Sequence, residues 1–228
     1  MTAATTSAAR TWADAGTRLL LDAVDTLDDA ALDLPCALPG WSRRHLLAHV
    51  ASNAEALGRL LDWARTGVEN PMYASAEQRA AEIESGALRP DLRERVRDTA
   101  QRLAVAMDAM PALAWTAPVV TAQGRTVRAA ETIWLRARET CIHAVDLDAG
   151  VRFTDLPADF LVALIEDVVT WRSSRTGPPV VLRTPRTLHE LPGKGDRQKV
   201  ELPVAMAAAW LVGRGPARPD LPELPRWL

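Results

Sequence analysis

Two histidines and a glutamate carry the strongest chemical signal in this chain. Glu139 and His143 stand four residues apart in TIWLRARETCIHAVDL, a spacing that puts both side chains on one face of a helix. His49 lies far earlier, in a second segment with helical patterning. Two imidazoles and one carboxylate form the donor set of an open zinc site, where three protein ligands leave a fourth position for water or a substrate atom. His45 precedes His49 by four residues and shares its helix face, so spacing alone leaves two histidines competing for one place. Cys141 falls about 200° around the helix from Glu139 and reads as core. Cys36, in a proline-flanked loop, reads as structural. Asn53 and Asp146 each lie one turn beyond a candidate ligand, and either orient an imidazole or face solvent.

Such a site needs rigid helices to hold it. Trp12, Leu19, Ala23 and Leu27 recur at helical spacing and predict an amphipathic first helix over about 11–32. The prolines and glycine of DLPCALPGW end it. Ser42 is suited to cap a second helix running through RRHLLAHVASNAEALGRLLDWA to about Arg65. After the loop TGVENPMYAS, Ser75 and Gln78 form a capping-box pattern that opens a short helix. Pro90 fits the first turn of a third long helix ending near Pro111. TAPVVTAQGRTV predicts two short extended pieces around a Gln123-Gly124 turn. A fourth long helix, about 128–147, carries Glu139 and His143. Four long helices with modest connections predict an antiparallel bundle, an architecture that builds metal sites from facing helices.

Composition changes near Gly150. A helix from Pro157 to about Arg175 presents the apolar pairs Phe160/Leu161, Leu164/Ile165 and Val168/Val169. PPVVLRT predicts a strand, RTLHELPGKGDR a turn-rich connection, and QKVEL a second strand. A last helix opens at Pro203 and stops near Gly213, before the proline-rich tail PARPDLPELPRWL. The expected organisation is α+β, with a helical bundle over 1–150 and a small α/β domain over 151–228.

The formal net charge of -2 over 228 residues offers no electrostatic footprint for nucleic acid or an anionic membrane. No segment has the apolar length of a membrane span, and the N-terminal stretch lacks a signal-peptide pattern. Two cysteines make neither a CxxC motif nor a disulfide framework, so a reduced, cytoplasmic setting is expected. Of the 27 basic residues only Lys194 and Lys199 are lysines.

Three segments, PGWSRRHLLAHVASNAEAL, TGVENPMYASAEQRAAEIESGA and WLRARETCIHAVDLDAG, resemble in order and separation the mycothiol-dependent maleylpyruvate isomerase family. That family sits within the DinB-like metal-binding four-helix bundles. The resemblance covers most of the chain. The first and third segments are characteristic of the wider group, and PMY…R…EIE points to the isomerase branch. The resemblance implies an N-terminal DinB-like four-helix bundle and a small C-terminal sterol-carrier-protein-like α/β domain. It implies zinc ligands at His49, Glu139 and His143, with His45 outside the set. It also implies that Arg79, in the PMY segment, and Arg214, in AWLVGRG, line an active-site cleft. Arginine there suits the carboxylates of a small dicarboxylate substrate.

The implied reaction is cis–trans isomerisation of maleylpyruvate to fumarylpyruvate, a step that follows gentisate ring cleavage. Conjugate addition of a thiolate turns the double bond into a single bond, which rotates before the thiolate leaves. Neither Cys36 nor Cys141 is placed for that role, so a borrowed low-molecular-weight thiol fits, and the resemblance names it as mycothiol. Two other outcomes share the same ligand set: a mycothiol-dependent S-transferase acting on an electrophile, and a non-catalytic metal-binding DinB-like protein.

Overall fold

The fold was analysed in a computed structural model that describes residues 3–215 and 218–227. Of the N-terminal stretch and proline-rich tail read above, Met1, Thr2, Pro216, Ala217 and Leu228 lie outside the described residues. The architecture is α+β, and the chain divides into two compact units, Met1–Val151 and Arg152–Leu228.

In the first unit the long helices are α1 (Ala3–Asp25), α3 (Arg43–Thr66), α5 (Leu92–Asp108) and α6 (Glu131–Asp146). Helix α1 packs on α6, while α3 packs on α5, α6 and the shorter α4 (Ala76–Ala87). Leu20 and Val24 of α1, Leu46, Leu47 and Val50 of α3, Leu92 and Val96 of α5, and Ala144 of α6 meet in one core. The first helix begins and ends earlier than its periodicity predicts. It stops at Asp25, and a separate turn, α2 (Asp29–Leu32), follows because Asp28 adopts an extended conformation and its side chain caps Ala31 N. Pro90 likewise sits just ahead of α5, whose N-cap is Asp91.

Three local features fix the helices that matter here. Ser42 caps α3: its Oγ accepts from His45 N, and the His45 ring returns to the Ser42 backbone. Arg43 donates to Leu147 O, Asp148 O and Ala31 O, satisfying carbonyls at the end of α6 and tying that end to the start of α3. Gly16 marks the closest approach of α1 to α6. A Cβ there would stand 2.6 Å from Thr140 Oγ1 and 2.8 Å from Cys141 N, so only glycine lets the two backbones pack at this distance. A hairpin of β1 (Pro118–Val120) and β2 (Thr126–Arg128) leads into α6 and buries Val119 and Val127.

The second unit packs α7 (Ala158–Ser173) against α8 (Val204–Leu211), with a three-stranded sheet of β3 (Val180–Arg183), β4 (Leu188–Leu191) and β5 (Gln198–Glu201). Central β3 buries Val180 and Leu182, pairs antiparallel with β4 and parallel with β5. Strand β4 corrects the expectation of a turn-rich connection at RTLHELPGKGDR. It is an edge strand with only Leu191 buried, so it lacks the apolar alternation that marks a strand in sequence.

Candidate metal centre

His49 lies on α3, and Glu139 and His143 on α6, and the packing of those two helices brings the three side chains together. Their donor atoms all lie within 4.8 Å of one another. His49 Nε2 and His143 Nε2 each stand 3.1 Å from the same oxygen, Glu139 Oε2. The two imidazole rings meet edge to face with centroids 5.0 Å apart. Two ligand atoms each about 2.0–2.1 Å from a tetrahedral ion lie about 3.3 Å from one another. Two of the three separations therefore already match ligands around one centre, with nitrogen and oxygen donors suited to a borderline divalent cation. The Glu139 side chain is 25% exposed, against 7% for His49 and 12% for His143, so the trio is approached from the glutamate side.

The supports of the two histidines differ. His143 Nδ1 is 3.0 Å from Asp146 Oδ2, and that carboxylate is fully buried. Of the two residues one turn beyond a ligand, Asp146 thus orients its imidazole. Asn53 does not. It is buried, but its Oδ1 accepts from Arg136 Nη1 at 3.0 Å, and His49 Nδ1 has no hydrogen-bond partner among the described residues. The His49 ring is held by packing instead, with Trp41 meeting it edge to face at 5.6 Å.

Charge follows the same asymmetry. Burial opposes ionisation of Glu139, yet hydrogen bonds from His143 and His49 outweigh it and hold the carboxyl well below its usual range. Burial also opposes a charge on His143, but Asp146 and Glu139 together lift it to about 9. For His49 burial wins, aided by the positive charges of His143 and, less, Arg79, and its pKa falls despite Glu139.

His45, one turn before His49, has a different task. Its Nδ1 lies 2.7 Å from Ser42 Oγ and its Nε2 3.4 Å from Glu84, so it closes the start of α3. The two thiols also stand apart from the trio's chemistry. Cys141 is fully buried with Sγ directed to Trp12 O on α1, and desolvation pushes its pKa up to about 12. Burial also raises Cys36, so neither side chain is a ready thiolate.

A family model, the mycothiol maleylpyruvate isomerase N-terminal domain, matches residues 13–148. The chain belongs to the mycothiol maleylpyruvate isomerase family. It is also similar, at 38% identity and a TM-score of 0.89, to a crystal structure of the mycothiol-dependent maleylpyruvate isomerase, with 97% of each chain covered. A histidine-to-alanine mutant of the mycothiol-dependent maleylpyruvate isomerase matches equally well. No curated protein matches the chain.

Against that family background, two arginines singled out in the sequence have distinct surroundings. Arg79 of α4 is exposed, with its guanidinium 5.8 Å from the centre of the Tyr73 ring. Arg214, in the second unit, donates through Nη1 to Val212 O at the end of α8. A third arginine carries no signal in the sequence. Arg136, one turn before Glu139 on α6, is 3% exposed and donates through Nη1 to both Val50 O and Asn53 Oδ1 on α3. Burial lowers its pKa to about 10, with Glu139 opposing the shift, so it stays a cation at neutral pH. It bolts the ligand-bearing helices together one turn from the trio. Among many surface arginines, nothing in its sequence neighbourhood sets it apart.

Proposed function

We propose that this chain is a zinc- and mycothiol-dependent cis–trans isomerase that converts maleylpyruvate to fumarylpyruvate. The observation that carries the reading is the convergence of His49, Glu139 and His143 in a family member whose own thiols are both raised in pKa by burial, that of Cys141 to about 12. Zinc held by these three residues would keep the sulfur of a borrowed thiol deprotonated at neutral pH.

The remaining work falls to the chain. Asp146 accepts from His143 Nδ1 and so turns His143 Nε2 toward the centre. Buried His49 stays neutral and offers a lone pair without first losing a proton. Arg136 holds α6 at a fixed distance from α3. Arg79 is our first assignment to a substrate carboxylate, because it is exposed and close enough to His49 to act on its ionisation. Arg214 is the second, and rests on the family resemblance of AWLVGRG.

The test pairs metal analysis with an ultraviolet assay of maleylpyruvate, with and without mycothiol. One zinc per chain, turnover only when mycothiol is supplied, and thiol recovered unchanged are expected. His49→Ala should remove both zinc and turnover. Full metal content and turnover in that variant, or thiol found attached to product, would defeat the reading.

A further inference from the structure

Tyr73 is the only tyrosine in the chain and belongs to the loop between α3 and α4. Its ring packs against two guanidinium groups from different helices, Arg59 of α3 at 5.7 Å and Arg79 of α4 at 5.8 Å. Arg59 is anchored: its Nε donates at 2.9 Å to Met72 O, the carbonyl next to Tyr73, and it faces Glu82 at 3.9 Å. Met72 is itself buried, so the root of the tyrosine is fixed. The phenol also lies within electrostatic reach of Glu139 and Arg136 on α6.

A ring needs no pair of cations to pack, and each such contact contributes only about 0.5–1 kcal/mol at an exposed position. A guanidinium that bonds the hydroxyl, as that of Arg79 does, suits an oxygen that is anionic or becomes so during a reaction. Burial pushes the Tyr73 pKa up, so the hydroxyl keeps its proton and remains a donor.

We propose that Tyr73 is a catalytic residue whose hydroxyl donates a hydrogen bond to the substrate oxygen on which charge gathers while the double bond is open, with Arg59 and Arg79 positioning the phenol. This rests on the isomerase reading. In that reaction one alkene carbon gains and then loses a bond to the thiol sulfur. The π pair moves onto the conjugated carbonyl oxygen and returns, so electrons balance with no net proton transfer. A fixed neutral donor is all that the transient charge requires.

Tyr73→Phe removes the hydroxyl and keeps the ring between its two arginines. In the zinc-loaded full chain it is expected to lower kcat about a hundredfold, with KM changed less than about threefold. Zinc stoichiometry and Tm should match the parent, which a merely structural role would not preserve. Because the chain has one tyrosine, ring-labelled ¹³Cζ-tyrosine gives a single resonance. Saturation with maleate, a stable cis dicarboxylate, should shift it. A kcat within about threefold of the parent, or a resonance indifferent to maleate, overturns the proposal. If the parent chain fails to isomerise maleylpyruvate, the functional reading falls, and the maleate shift alone decides whether Tyr73 meets a substrate oxygen.

Discussion

The α6 side and the α3 side of the metal centre reach the same point by different means. Helix α6 supplies two candidate ligands and its own support, since Glu139, His143 and Asp146 are linked by hydrogen bonds along a single face. Helix α3 supplies one candidate ligand whose second nitrogen has no partner among the described residues, held by Trp41 and by the packing of its helix. One side is preorganised by local polar contacts, the other by tertiary fit. The contrast predicts that damage to the α6 side will register in metal affinity, and damage around the α3 ligand in stability.

Glu139 joins both sides, so Glu139→Ala should have the largest effect. Loss of stoichiometric metal and at least about a thousandfold loss of turnover, or about 4 kcal/mol, are expected by metal analysis and steady-state assay. Next, Asp146→Asn should weaken metal binding about 10–100-fold, read by competition with a chelating dye. Asn53→Ala is its counterpart on α3. It should leave metal affinity within about threefold while costing about 1–3 kcal/mol of stability, because Arg136 loses a buried acceptor. Equal affinity losses in the two variants would erase the asymmetry.

Protonation sharpens the comparison further. His143, raised to about 9, is protonated at neutral pH in the metal-free protein, whereas the pKa of buried His49 is lowered. Metal binding at pH 7 should therefore release about one proton, drawn from the α6 side, which calorimetry in buffers of different ionisation enthalpy will count. The linked stability has a definite sign. Because the folded pKa of His143 exceeds the unfolded value, its stabilising contribution to the metal-free protein is complete below about pH 6.5. It is lost as pH rises through about 9, so metal-free thermal stability should decline across that window. Cys141→Ala carries the smallest expectation. Thiol-dependent turnover should be unchanged, with a stability loss on the order of 1 kcal/mol from the missing sulfur.

What the sequence disclosed divides along similar lines. Ligands on one helix are legible, because an i,i+4 spacing is a geometric statement, and the cap at Ser42 is equally local. The choice of His49 over His45 needed the family pattern, and the structure supplies the physical reason: His45 is engaged at the helix start. Spacing leaves Asn53 open between supporting His49 and facing solvent, and it does neither, because its partner, Arg136, comes from another helix. Strand β4 was missed because an edge strand carries little hydrophobic alternation. Tyr73 lay in a recognised motif, but only the fold gathers Arg59 and Arg79 around it.

Gly16 bears on the candidate metal centre through packing alone. It has no side chain and no chemistry, yet it sets how deeply α1 seats against Thr140 and Cys141, the two residues that immediately follow Glu139. In mechanical terms it is a shim of zero thickness beneath the ligand-bearing helix. A graded series of alanine, serine and valine at position 16 would thicken that shim in steps, moving Glu139 and His143 together while leaving His49 in place. Ion selectivity, usually designed by exchanging ligands, would here be adjusted from a helix that contributes none.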